Sequence, residues 1–346
     1  MIYYLIFCTL FLFSFNEVFS NRRKKYLAFV FLIMLLFFAG FRDSLGTDYK
    51  TYSLIYYGVN NINDYSYLEI GFRALILFSK FISTEPWSMF LLATSITIIF
   101  IGSGIKKSSV LPLFSVFLFF SVFFINYTFN GIRQGISMAI FLFSVESITE
   151  DKRLIKVLFY TLLASLFHLS GLFILLAYIF AKIPIHKKLY KIFFIILILL
   201  FFLSSSISVV ADNILPTVLI NKLNVFNQNF SESVNIINIA QRVIILLLMI
   251  LFYDKIFIGK KQNRLFKIYF LGFVLYSMFS FQIVFATRIN MFFRILEILI
   301  FPLILQRSKD IPTKLFFFII FSIWAFLLLS SDISNPYNAP YQSLLF

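Results

Sequence analysis

Asn126-Tyr127-Thr128-Phe129-Asn130-Gly131-Ile132-Arg133-Gln134-Gly135 opens a stretch that runs on through an apolar segment, crosses a charged turn at Glu150 to Arg153, and returns to His168-Leu169-Ser170-Gly171. Nearly everything around it is phenylalanine, leucine or isoleucine, so an arginine, two asparagines, a glutamine and one of the chain's two histidines stand out. Ionisable groups are expensive in lipid and mark function by default. Apolar runs of span length joined by short polar turns predict an all-α polytopic membrane bundle, with this stretch forming half of a site that faces outward.

Composition agrees along the whole chain. With 61% hydrophobic and 21% aromatic residues, a soluble fold is excluded. The apolar runs lack period-2 alternation and are too long for strands of an outer-membrane barrel. Cys8 is the single cysteine, which excludes an intrachain disulfide. The net charge of +15 comes in short basic clusters between apolar runs. That pattern reports orientation by the positive-inside rule and gives no continuous basic surface for nucleic acid.

In chain order, residues 1–20 are apolar with Arg22 to Lys25 behind them, so they read as a span with its N-terminus outside rather than a cleaved signal peptide. A second span, about 26–41, returns to the outer face. Residues 42–86 are read as an outer loop holding an interfacial or re-entrant helix at 69–83, too short to cross and carrying Glu69, Arg73 and Lys80. Further spans fall near 87–105, 110–127, 131–149, 190–209, 237–253, 265–285, 291–306 and 314–331. Between them, 155–182 is overlong for one crossing and short for two at about 1.5 Å per residue, and reads as a broken pair meeting at His168 to Gly171. The total is about 12 crossings in a single transmembrane domain, 1–346, with a second outer loop at 210–236.

This topology places Arg42, Lys50, Arg73, Lys80, Arg133, Lys222, Arg242, Arg288 and Arg294 outside. Six of the nine are arginines, whereas lysine dominates inside. Anchoring at the cytoplasmic face needs only positive charge, but a guanidinium grips phosphate oxygens bidentately, so the outer arginines read as anion ligands. Asn130, Arg133, Gln134 and Ser137 fall within roughly a 100° arc of one helix. Gly131 and Gly135 form a small-residue edge beside it. An interhelical hydrogen-bonding seam gives the same pattern, although such seams seldom need an arginine. His168 sits where the helix breaks and is available as a base, a hydroxyl ligand or merely a cap. Arg294 and Glu297 are spaced for an ion pair, which leaves Arg288 the better anion ligand. Tyrosines of the outer loop and of the tail from Asn335 to Tyr341 suit either sugar stacking or an interfacial belt.

Taken together, Phe41-Arg42-Asp43 with Gly46-Thr47-Asp48-Tyr49 and Tyr52, Glu69-x-Gly71-Phe72, Asn130-x-x-Arg133-Gln134, and Phe167-His168-x-Ser170 resemble, in order and spacing, the EpsG-like branch of Wzy-type polysaccharide polymerases. Gly171 stands where that pattern carries alanine, and the last third of the chain matches only loosely.

The resemblance implies a bacterial inner-membrane glycosyltransferase that joins undecaprenyl-diphosphate-linked oligosaccharide repeats into exopolysaccharide, capsule or O-antigen at the outer face. A flippase and a chain-length regulator are implied as partners. Departure of the lipid diphosphate develops negative charge, which preoriented guanidinium groups stabilise. Arg133 is the expected catalytic arginine. Arg42, Arg73, Arg288, Asn130, Gln134, Ser170, Glu69 and Tyr49 are expected to bind substrate. Asp48 or His168 would take the proton of the acceptor hydroxyl, and the residues alone leave both open. No metal or other cofactor is expected: the chain has neither an Asp-x-Asp motif nor a Walker A loop. Rival classes are a flippase or transporter of lipid-linked sugars, a membrane O-acyltransferase using His168, and a glycan ligase.

Overall fold

The computed structural model describes residues 1–20, 22–203 and 236–344. The expected outer loop at 210–236, with Lys222 inside it, lies outside the described residues except for its last position. Among the described residues the chain is helical, and Arg42 and Ser343 form an isolated antiparallel bridge. Two compact units emerge: Met1–Leu176 with Ile295–Phe346, and Ala177–Arg294.

In the first unit, α1 (Ile2–Ser20) and α2 (Lys25–Gly40) precede two short helices, α3 (Tyr49–Gly58) and α4 (Ile70–Lys80). Then come α5 (Trp87–Ser108), α6 (Pro112–Leu118) with a π-helical continuation (Phe119–Asn130), α7 (Ile132–Thr149) and α8 (Leu154–Ser165). A 3₁₀ turn (Leu169–Leu172) leads into α9 (Phe173–Lys182). The second unit holds the rest of α9, α10 (Lys187–Phe202), α11 (Ile236–Leu251), α12 (Lys260–Met278) and α13 (Ile283–Arg294). The chain closes in the first unit with α14 (Glu297–Arg307) and α15 (Ile311–Ser334).

Burial sorts these helices by environment. The α6 and π segment is the axis of its unit: Phe114, Phe117, Phe119, Phe120 and Phe123 are all enclosed, and α1, α2, α7, α14 and α15 pack around the segment. By contrast α1 leaves Leu5 and Leu12 exposed and α15 leaves Ile323 and Leu327 exposed, as lipid-facing helices must, since lipid tails are as apolar as leucine. The hydroxyls of Ser121 and Thr128 bond back to the carbonyls of Phe117 and Phe124, competition that loosens an α ladder and accompanies the wider π winding. At the other end of the axis, Glu17 is fully buried in α1. Its carboxylate accepts the backbone N–H groups of Lys24, Leu113 and Phe114, two of them orphan donors of the α6 N-terminus.

By length and composition, α1, α5, the α6–π helix and α15 are each able to cross a membrane, which makes four spans, or five if the bent pair of α13 and α14 counts as one. The chain is an integral membrane protein. Several runs expected to cross, among them α2, α8 and α11, form apolar helices of 10–17 residues. The 69–83 segment forms the 11-residue α4, about 16 Å long and too short to cross. The expected broken pair is present, with its break at residues 166–168 ahead of the 3₁₀ turn.

In the second unit α12 packs against α10 and α13. Asn290 donates to the Gly272 carbonyl, and Tyr190 sits among Tyr253, Phe266 and Phe270.

Candidate active site

Three interruptions of the helical chain meet in the first unit, at the end read from the sequence as outer. One is Gly131, between the π segment and α7; another is the extended backbone of Glu69 ahead of α4; the last is the gap between α8 and the 3₁₀ turn. The last two are joined backbone to backbone. Gly71 N–H donates to the Leu166 carbonyl at 2.8 Å, and a Cβ at position 71 would stand 2.6 Å from that oxygen, so only glycine lets α4 start this close to the break.

Side chains complete the joint. Arg133, in the first turn of α7, donates to one oxygen of Glu69, whose other oxygen accepts Leu169 N–H at 3.3 Å. Tyr52 of α3 hydrogen bonds to the Arg133 side chain. Burial pushes the Tyr52 phenol above its ordinary value while Arg133 draws it partly back and Asp48 opposes, so the ring stays a neutral partner of the guanidinium. One turn further along α7, Ser137 meets the Ser170 hydroxyl at 3.5 Å, long for such a contact. Ser170 in turn lies 2.8 Å from Nδ1 of His168. The Ser170 backbone N–H also donates to that nitrogen at 3.2 Å, so His168 caps the 3₁₀ turn. A backbone N–H can only donate, which makes Nδ1 the acceptor and puts the proton of the neutral imidazole on Nε2.

Arg133, Glu69, His168 and Ser170 thus come together, and the side chains of Arg133 and Glu69 keep 26% and 21% of their surface open. Arg42 does not join them. It is fully enclosed, donates to the carbonyls of Ala39 (2.6 Å), Leu45 (3.1 Å) and Phe129 (3.1 Å), and is sandwiched between the rings of Phe90 and Phe129. In place of the expected anion ligand there is an internal tie between the end of α2 and the segment before Gly131. Arg73 likewise donates to the Ile62 carbonyl and pins the loop ahead of α4.

The remaining expected residues fall into three places. Asn130 is separated from the Arg133 face by Gly131, which ends the π segment, so the single-helix arc of Asn130 with Arg133 is not formed. Its side-chain oxygen accepts the N–H and hydroxyl of Thr47 at 2.6 and 3.0 Å. This contact, with Gly46 at φ +110° against the Phe129 carbonyl, folds the 46–48 turn onto the break and sets the partly buried Asp48 one turn before Tyr52. Tyr49 is stacked on Phe90, and Gln134 is buried on α7. Arg288 is exposed on α13 of the second unit.

The C-terminal tail also takes a structural part. Tyr341 stacks on Phe38 at 4.0 Å instead of facing outward, and the tail accepts N–H groups of Asp43 and Gly46 through the Gln342 and Tyr337 carbonyls. Tyr52 stood in the motif of the outer loop without an assigned part in the site, and one polar group went unnoticed in the sequence. Asp332, a lone carboxylate ending a long apolar run, carried a signal that could have been read; it accepts a hydrogen bond from Asn126 Nδ2 at 2.8 Å.

The chain is thus a helical integral membrane protein with an arginine–carboxylate pair, a capped histidine and two serines around a set of helix breaks. The EpsG family model matches residues 24–343, nearly the whole chain, and the chain belongs to that family, whose members are Wzy-type polysaccharide polymerases. No curated protein and no solved structure matches it.

Proposed function

We propose that the protein lengthens a surface polysaccharide at the outer face of the bacterial cytoplasmic membrane. Its substrates would be oligosaccharide repeats carried on undecaprenyl diphosphate, and its product exopolysaccharide, capsule or O-antigen. The observation that carries this reading is the meeting of Arg133, Glu69 and Tyr52 with His168 and Ser170 at one partly open notch. In this account the shorter apolar helices complete a bundle of about 12 crossings.

The chemistry follows from the groups present. The bond between the anomeric carbon and the diphosphate breaks, the acceptor hydroxyl oxygen bonds to that carbon, and the lipid diphosphate leaves with the bond electrons. Arg133 stabilises the charge that develops on the leaving oxygens. About a quarter of its side-chain surface stays open, so the guanidinium can meet an anion beyond Glu69. Glu69 holds it in place before substrate arrives. With Nδ1 of His168 accepting the Ser170 N–H and the ring proton on Nε2, the imidazole does not take the hydroxyl proton, which falls to Asp48, while Ser170 holds a sugar hydroxyl. The lipid diphosphate supplies the driving force, so neither metal nor nucleotide enters the scheme.

Deleting the gene and separating the surface polysaccharide and lipid-linked intermediates on gels tests the proposal. Loss of the long ladder with accumulation of single lipid-linked repeats is expected, and an unchanged ladder overturns it. Purified protein that moves labelled lipid-linked repeats across liposomes without lengthening them makes it a flippase instead.

A further inference from the structure

The proposed scheme leaves Asp332 unused, and nothing in the packing explains why it is there. It lies in the last turn of α15, where the helix dipole disfavours a carboxylate. Asn126 is its side-chain partner, a neutral amide, and no cation pairs with it among the described residues. Its backbone is well held, since Asn338 Nδ2 donates to the Asp332 carbonyl at 2.9 Å, and Asn126 Nδ2 holds one oxygen of its carboxyl. Such a group is retained for something other than the fold.

Its surroundings indicate what it can take. Both Asp332 and Asn126 remain partly accessible. Asp332 Oδ1 and Asn126 Oδ1 make no hydrogen bond among the described residues, so two fixed acceptors stand beside the Asp332 Oδ2 to Asn126 Nδ2 contact. With open oxygens and the second N–H of Asn126 Nδ2, the pair can exchange hydrogen bonds with hydroxyls and offers a diphosphate no cation. A divalent cation is poorly served, because one carboxylate and one amide oxygen fall far short of six oxygen ligands. Asn126 is also joined to the notch: its carbonyl accepts Gly131 N–H at 3.0 Å, directly across the break that begins the Arg133 helix.

We propose that Asp332 and Asn126 form a sugar subsite that binds neutral hydroxyls of the oligosaccharide, at the opposite side of the Gly131 break from the diphosphate-binding Arg133. The assignment rests on the polymerase reading above and divides the substrate between two chemistries. The anionic leaving group goes to the guanidinium, and the uncharged sugar goes to the carboxylate–amide pair.

The test uses the full chain in liposomes, with lipid-linked repeats extracted from the deletion strain as substrate and extension rates measured across concentration. Asp332→Asn keeps the volume and an acceptor for Asn126 while replacing the other oxygen by a donor. It is expected to lower kcat/KM about tenfold, mainly through KM, as loss of a hydrogen-bond acceptor for a sugar hydroxyl does. Asn126→Ala is expected to lower it about tenfold. The melting temperature of Asp332→Asn should be unchanged or higher, and its inhibition by inorganic diphosphate should match wild type. Wild-type kcat/KM in both variants overturns the subsite, as does a loss of activity that only tracks a fall in melting temperature. If wild-type protein extends nothing, the polymerase reading fails and takes the subsite with it; if wild type extends and the variants do too, the subsite alone fails.

Discussion

Arg42 and Arg133 belong to the same small set of arginines read as outer, and both border the segment that ends at Gly131, yet they occupy opposite environments. Arg42 is surrounded by three backbone carbonyls and two aromatic rings with no surface exposed. Burial pulls its pKa down to about 10, against the opposing influence of Tyr49 and Tyr3, so it is still a cation at neutral pH. Fixed dipoles do the work of water for it. Arg133 faces a carboxylate and a phenol with part of its side chain open. A guanidinium solvated by carbonyls is committed, because releasing it strands several buried acceptors. One balanced by a partly exposed carboxylate can take on a second anion at little cost.

The sharpest way to break this contrast is to remove each arginine in turn. Arg133→Ala is expected to cut glycan extension by at least ~100-fold, the scale of losing one donor to a developing oxyanion, with the protein still abundant in the membrane. Arg42→Ala should do the reverse. Leaving three buried carbonyls without a donor costs about 3 kcal/mol or more, so the protein should become scarce on a membrane immunoblot, with activity per molecule less affected. Normal abundance and no glycan from Arg42→Ala would show that Arg42 acts on substrate after all.

The next contrast concerns the partner of Arg133. Glu69→Gln keeps an acceptor for Leu169 N–H and removes the charge that balances the guanidinium. Because both side chains are a fifth to a quarter exposed, the stability change is expected to stay within about 1 kcal/mol. Extension should fall about tenfold, because a neutral amide orients the guanidinium less firmly. An extension rate equal to wild type would mean that the pair serves the fold alone, making Arg133 more like Arg42 than the geometry implies.

The difference between the two arginines was invisible in the sequence for a physical reason. Carbonyl partners belong to the backbone, and the sequence does not say which carbonyls a turn will aim inward. That the chain is a helical membrane protein and that the 155–182 stretch breaks were legible, since hydrophobic length sets them, although the break falls at 166–168 and not at His168 to Gly171. The joint between Gly71 and Leu166 was not legible, because it is a contact between distant segments whose only local trace is a missing Cβ. The arc that grouped Asn130 with Arg133 assumed an unbroken helix. Gly131 interrupts it, and Asn130 turns to Thr47 instead. Gly135 packs against the Tyr127 carbonyl of its own hairpin, so the expected small-residue edge serves that turn. Glu17 and Asp332 each announced themselves as a single acid in an apolar run, and the two have different ends: one is satisfied by three amides, the other by one.

The smallest effect is expected at His168, and it tests how the notch divides its labour. Ser170 N–H fixes Nδ1 as an acceptor, so the neutral ring offers only a donor at Nε2. His168→Asn retains a side-chain oxygen for the cap, which holds stability within about 0.5 kcal/mol. Extension is expected to fall only a few-fold, a change read in the reconstituted assay. Asp48→Asn, which removes the proposed proton acceptor, should lower the same rate by about 100-fold. If the two variants exchange places, with His168→Asn inactive and Asp48→Asn near wild type, then the imidazole must adopt the other tautomer during turnover. That would require the Ser170 N–H to find a new acceptor, and the 3₁₀ turn that joins Ser170 to Ser137 would have to open in every cycle.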